Sequence, residues 1–340
     1  MTMGMMVCVV AAMAFVVTSL LGLWLIPQLR RLRLGQNVSE TGPVWHQKKQ
    51  GTPTMGGMMF ITGILAASLT GCGIYQLSVH RQTIPAGLAQ MDLMKFFLGL
   101  LLACGFGAVG FLDDYIKVVK KRRPGLSDRQ KFLLEALVSV GYLLAVYLAG
   151  DRSTVLYLPF LGKLNLGLFY YPLAILLMIW TVDAVNLTDG LDGLCSSVTF
   201  VASLGLMVVC SVLSHTTTGF LAAAAAGGCL GFLVWNFYPA KVFMGNLGST
   251  FLGGVLVAVA FGAGVPALLV LVGIVYFAES LSVVIQRIYF RITGGKRLFK
   301  MTPVHHHYEM KGYSEVKITA IFSAATAVGC LLALLSVRYI

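Results

Sequence analysis

Ten mostly apolar runs constrain this chain more than any other feature, at 4–26, 55–73, 95–112, 132–149, 167–183, 194–213, 219–235, 247–263, 265–286 and 318–337. A helix of roughly 20 such residues spans the hydrocarbon of a bilayer, where every backbone N–H and C=O must be satisfied within the segment. Charged residues make up 11% of the 340, against about 25% in a soluble domain. The expected fold class is therefore all-α: a polytopic integral membrane helix bundle of about ten transmembrane helices. No linker divides the chain, so 1–340 reads as a single transmembrane domain. Repeated Gly and Ala in 221–231 and 253–264 suit close helix packing in lipid. The shortest connection falls at 262–266, between the eighth and ninth runs.

Orientation follows from charge. Of the 25 Lys and Arg residues, 20 fall in the odd-numbered loops between runs; the others are Arg81, Lys95, Arg152, Lys163 and Arg338. The positive-inside rule then places the odd loops in the cytoplasm and both termini outside. The first run has no basic residue before it and Arg30, Arg31 and Arg33 after it, which suits an anchor rather than a cleaved signal. The net charge of +12 is mostly this topology signal plus attraction to anionic headgroups. Nucleic acid is not an expected partner, because the basic residues sit in short juxtamembrane loops; membrane lipid is. The seven cysteines are scattered and odd in number, with no CxxC or Cys/His spacing, so they read as small core residues.

On this topology the polar clusters share one face. Asp113-Asp114 close the third run; Asp183, Asn186, Asp189 and Asp192 crowd the exit of the fifth; Asn236, Lys241 and Asn246 flank the seventh and eighth. His305-His306-His307 follow the ninth, and Lys49 and Thr54 precede the second. A transporter would place its polar groups near the midplane in broken helices. Here only Glu279 lies clearly inside a run, about two turns or roughly 10 Å from its inner end. Acidic groups at a membrane face are functional candidates by default. Carboxylates with lysines and histidines in one basin suit Mg²⁺ and phosphate, hence phosphoryl transfer at the inner membrane surface between a lipid and a cytosolic substrate. Zinc is disfavoured: consecutive histidines do not face one point, and a second ligand set is missing. Bland readings stand beside these. Asn and Asp next to Gly are ordinary turn residues, GTPTMGG at 51–57 also reads as a turn and cap, and Asn246 alone would be a helix N-cap.

The segments 51-GTPTMGG-57, 112-LDDYIK-117, 184-AVNLTDGLDGL-194, 239-PAKVFMGNLGS-249 and 303-PVHHHYE-309 closely resemble, in order, those of the phospho-N-acetylmuramoyl-pentapeptide transferases, within the polyprenyl-phosphate N-acetylhexosamine-1-phosphate transferase superfamily. The resemblance runs over essentially the whole chain. It implies ten helices with both ends outside, location in the bacterial inner membrane, and a cytoplasmic active site. It also implies transfer of phospho-N-acetylmuramoyl-pentapeptide from UDP-N-acetylmuramoyl-pentapeptide to undecaprenyl phosphate, with release of UMP and help from Mg²⁺. Direct attack by the lipid phosphate and a two-step route through an Asp nucleophile both agree with the sequence.

By the same resemblance Asp113 contacts or deprotonates the lipid phosphate and Asp114 supports it. Asp192 and Asn186 belong to the nucleotide and metal basin, with Asp189, Gly190 and Leu191 beside them. Lys49, Thr54 and the weaker candidate Lys131 hold substrate. Phe243 stacks on uracil with Asn236 nearby. His305 and His306 bind the pyrophosphate or sugar, and His307 stands with them. Two departures bear on the metal. The family's MGD aspartate is Asn246 here, and an asparagine three before Asn186 is Asp183, so the expected metal residues are Asn246 and Asp183 with the charge relocated. Two rivals stay open: a UDP-N-acetylglucosamine transferase acting on polyprenyl phosphate, and an ion-coupled transporter using Glu279. A homodimer also stays open, with spans such as 247–263 able to face a second copy.

Overall fold

The computed structural model describes residues 3–32, 49–79, 86–120 and 125–338, with the backbone alone at 78–79 and 86–89. Arg33, Lys48, Arg81, Lys121, Arg122 and Arg123, used above for orientation, lie outside the described residues.

Eight long helices follow one another: α1 (Met3–Arg31), α2 (Gly57–Val79), α3 (Ala86–Asp114), α4 (Asp128–Leu148), α5 (Tyr170–Thr188), α6 (Leu194–Val212), α7 (Thr216–Asn236) and α8 (Gly245–Gly262). After them come short α9 (Leu268–Val272), α10 (Ile274–Ile292), short α11 (Val304–Glu309) and long α12 (Glu315–Val337). Starts follow local chemistry. Ser127 accepts from the Gln130 N–H and the Gln130 side chain accepts from the Ser127 N–H, a reciprocal cap that fixes the entry of α4. Ser314 caps α12 one way only, accepting from Lys317 N.

Among the described residues, nine helices are long and apolar enough to cross a membrane: α1 to α8 and α12. The expected ninth run, 265–286, differs. It breaks at Gly273 into α9 and α10, and α10 carries Glu279, Arg287 and Arg291 among its apolar residues. Those charges divide α10 into faces. Leu281, Val284, Ile285 and Ile288 are exposed, while Tyr276, Glu279 and Ser280 turn inward. The all-α expectation also missed a hairpin between α4 and α5, where β1 (Val155–Leu158) pairs antiparallel with β2 (Gly162–Asn165). Each strand is four residues long, too short for alternation to separate it from a loop.

Helices α7 and α8 form the centre. α1 lies along α7 and α3 along α8. Gly227 and Gly231 bring α7 against the backbone of Ala11 and Phe15 on α1, where any side chain would collide. This is the close approach that small residues allow without water to drive association. One apolar cluster runs through these helices, from Val10 and Ile64 through Phe106 and Phe251 to Val272 and Phe322. The residues of α8 from Leu247 to Gly262 are buried inside the chain, so 247–263 does not offer the face for a second copy that its hydrophobicity suggested.

Candidate active site

Backbone pairing assembles the basin before any side chain acts. Phe243 N donates to Pro53 O at 2.9 Å, Gly56 N to Phe243 O at 2.9 Å and Gly57 N to Met244 O at 3.0 Å. These bonds zip GTPTMGG to MGNLGS across almost 200 residues of sequence. Gly245 is required at the crossing. Its φ is +74°, and a Cβ there would lie 2.6 Å from Asp114 Oδ2 and 3.1 Å from Thr54 Oγ1.

The acidic pair ending α3 enters this crossing, each residue 5% exposed. Asp114 Oδ2 accepts from Leu247 N at 3.0 Å, so it closes the N-terminal turn of α8, where a negative charge meets the helix dipole. Asp113 is held on all sides: Oδ2 accepts from Lys117 Nζ and Asn246 Nδ2, both at 2.6 Å, and Oδ1 from Leu126 N at 2.8 Å. Asn246 is not a cap. It stands between two candidates, donating to Asp113 while its Oδ1 accepts from Asn186 Nδ2 at 2.9 Å. Asn186 also donates to Ser249 Oγ at 2.7 Å. Asn246 thereby takes over by hydrogen bonding a place where an aspartate would face Asp113 as a like charge.

Asp183 does not join this chain of bonds. Its Oδ1 accepts from Lys131 Nζ at 2.5 Å, and Lys131 also lies 3.7 Å from Glu135. The charge gained at Asp183 is matched by a lysine, so it does not replace the carboxylate absent at Asn246. Among the described residues no three His, Cys, Asp or Glu side chains form a ready metal cluster.

Asp192 anchors a second knot. Its Oδ1 accepts from Lys49 Nζ at 2.7 Å and its Oδ2 from Ala240 N at 2.9 Å. Lys49 also reaches Glu315 Oε2 at 2.7 Å, and that oxygen accepts from Asp192 N at 2.8 Å. Burial works against the charge on Lys49, but the hydrogen bonds and charges of Asp192 and Glu315 hold its pKa above the usual lysine value. Glu315, at the start of α12, had no motif to announce it. The sequence signal that fits it in hindsight is an acid in a helix first turn.

Asp189 is different. It lies just past α5, and its carboxylate takes no hydrogen bond from any described side chain or backbone group. Burial, with the charges of Asp114 and Asp192, pushes its pKa up to about 7. A half-buried acid without a donor, set among other acids, suits a hard cation that takes oxygen ligands.

The histidines diverge, as consecutive residues on α11 must. His305 is 0% exposed and turns toward Glu279, with 3.1 Å between Nδ1 and Oε1. His306 Nδ1 lies 2.6 Å from Glu309 Oε2. His307 Nδ1 accepts from Lys300 N at 3.1 Å, and burial together with Lys311 and Lys300 lowers its pKa. On its other side His305 meets Gly190, where no side chain would fit against the imidazole. Asn236 is 2% exposed and spends both ends on protein, accepting from Ser196 Oγ at 3.1 Å and donating to Val242 O at 2.9 Å. It pins the loop that carries Phe243. Leu191, 4% exposed, belongs to the apolar core rather than to a binding surface.

Residues 96–264 match the family model for glycosyl transferase family 4. The chain is 44% identical over 327 residues to the phospho-N-acetylmuramoyl-pentapeptide-transferase of Heliobacterium modesticaldum, covering 95% of this chain and 96% of that protein. It belongs to that family. The transferase of the same name from Clostridium perfringens is 43% identical over 324 residues, covering 95% of this chain and 94% of its own. That of Halalkalibacterium halodurans is 43% identical over 326 residues, covering 96% and 94%. This transferase therefore carries the family's segments at one end of a multi-pass helical bundle, and the geometry above is how its own residues fill them.

Proposed function

We infer that this chain transfers phospho-N-acetylmuramoyl-pentapeptide from its UDP-linked precursor to undecaprenyl phosphate and releases UMP. The supporting observation is the convergence of Asp113, Asn186, Asp189, Asn246 and His305 at one end of the bundle, in a chain related over nearly its full length to transferases of that name. The basic loops suit a basin on the cytoplasmic side of the bacterial inner membrane.

The acceptor needs little activation. A phosphate monoester has its second pKa near about 6, so it is largely dianionic at neutral pH. Rate enhancement then comes from alignment and from neutralising charge on the pyrophosphate. Asp113 fits an orienting role: its three donors fix it, and it holds the half-exposed Lys117 ammonium at the mouth of the basin to meet the lipid phosphate. His305 and His306 offer donors to the diphosphate. Phe243, tied at both backbone atoms to the 53–56 loop, would stack on the base. Asp189, with Asp114 or Asp192 beside it, would hold Mg²⁺ together with substrate phosphates. When bound, the ion would neutralise charge on the departing UMP.

The test is UMP release from UDP-N-acetylmuramoyl-pentapeptide by the purified chain in nanodiscs. Release should require both undecaprenyl phosphate and Mg²⁺. Turnover of UDP-N-acetylglucosamine instead would mark a sister transferase. Solute flux in sealed vesicles without UMP would mark a transporter.

A further inference from the structure

Glu279 is 0% exposed on α10, and no step above uses it. A buried carboxylate is costly unless something compensates it. Here the compensating group is one residue, approached twice. Glu279 Oε2 accepts from the backbone N–H of His305 at 3.3 Å, and Oε1 lies 3.1 Å from His305 Nδ1. Ser282, three residues on, turns its hydroxyl to the Glu279 carbonyl rather than to the carboxylate. The far side of the imidazole is bare. Nδ1 and Glu279 Oε1 touch at ion-pair distance without an aligned hydrogen bond, and Nε2, also buried and without a partner among the described residues, faces Gly190, between Asp189 and Leu191.

We propose that Glu279 is the positioning residue for His305, holding the ring so that Nε2 faces the 186–192 loop. An imidazole beside a carboxylate keeps its proton on the near nitrogen, and that outer contact sets both tautomer and ring angle. With Nδ1 held 3.1 Å from Glu279 Oε1, Nε2 is the nitrogen left facing the 189–191 turn. Glu279 itself stays behind the ring and touches no reacting atom. The identity of the ligand rests on the transferase reading above; the geometry of the ring does not.

Two measurements on the full-length chain in nanodiscs test this. In a double-mutant cycle, Glu279→Gln should lower kcat by about 10- to 100-fold while KM for the polyprenyl phosphate holds. In a His305→Ala background the same change should cost nothing further. Wild-type kcat in Glu279→Gln, or an equal loss in both backgrounds, would overturn the proposal. The second measurement needs no turnover. Ring nitrogen-15 spectra of histidine-labelled wild type, with His305 assigned by its loss in His305→Gln, should show Nδ1 protonated. A ring protonated only at Nε2 would overturn the proposal even if Glu279→Gln failed to fold. A wild-type chain that releases no UMP would sink the transferase reading and leave the ring spectrum to decide this one.

Discussion

The two ends of the bundle treat their acids in opposite ways. At the end away from the basin, Asp92 is surrounded by donors: Thr217 N at 2.8 Å, Thr217 Oγ1 at 2.5 Å, Thr218 Oγ1 at 3.1 Å and His215 Nδ1 at 3.3 Å. Nearby Asp151 takes Lys95 at 2.6 Å, and although burial acts against it, that lysine holds its pKa below the usual carboxylate value. Both of these acids are answered within the chain. In the basin Asp113, Asp114, Asp189 and Asp192 gather, and Asp189 is left without a donor. Acids satisfied in place tie helices together, whereas acids in excess await a cation or a ligand. The difference separates structure from function without reference to sequence motifs.

The contrast breaks most sharply at Asp113. Asp113→Asn keeps the shape but loses the hold on Lys117, and transfer should fall by about 10³-fold while nucleotide binding, read by calorimetry, survives. Normal turnover in that variant would remove Asp113 from the mechanism. Next in size, His305→Ala and His306→Ala should each lower kcat/KM by about 10- to 100-fold, and near-normal values in both would return the histidines to a surface role.

A pH test follows from Asp189. Its pKa lies at about 7 in the folded chain, above the ordinary carboxylate value, so the stability it lends is complete at low pH. That stability is lost as pH rises through about 7. Mg²⁺ competes for the same oxygens, so adding it should raise Tm more at about pH 8 than at about pH 6. Asp189→Asn should abolish that difference, and equal Mg²⁺ shifts at both pH values would take the ion elsewhere. At Asn246, replacement by Asp sets a second charge beside Asp113. Tm without metal should drop, and the Mg²⁺ concentration for half-maximal activity should fall by about 10-fold. An unchanged Mg²⁺ dependence would leave Asn246 as a hydrogen-bonding bridge alone. The smallest effect on activity belongs to the opposite end. Asp92→Asn should cost about 1–3 kcal/mol of stability, seen as a lower Tm, with kcat/KM within about twofold. Lost activity in a chain that stays folded would mean the two ends communicate.

Residues 49–57, 112–117, 184–194 and 303–309 were legible because phosphate chemistry needs charge, and charge at the edge of an apolar run has few bland explanations. The helices were legible for a related reason: a bilayer leaves backbone no other arrangement, so length and hydropathy alone located α1 to α8 and α12. At 265–286 that logic gave one span where the fold has two helices, α9 and α10, divided at Gly273.

Which acid faces which base was decided only by the fold. Asp183 and Asn186 are one helical turn apart, yet one meets Lys131 and the other Asn246. Asp189 and Asp192 sit three residues apart, one bare and the other tied to Lys49 and Ala240. Glu279 and Glu315 carried no motif at all, and each proved to hold a residue that did. Sequence by itself determined that this chain crosses a membrane and gathers charge at one face, because solvent acts on every residue separately. Pairing is a property of two groups brought within about 3 Å across distant segments, and only the packed helices set those distances.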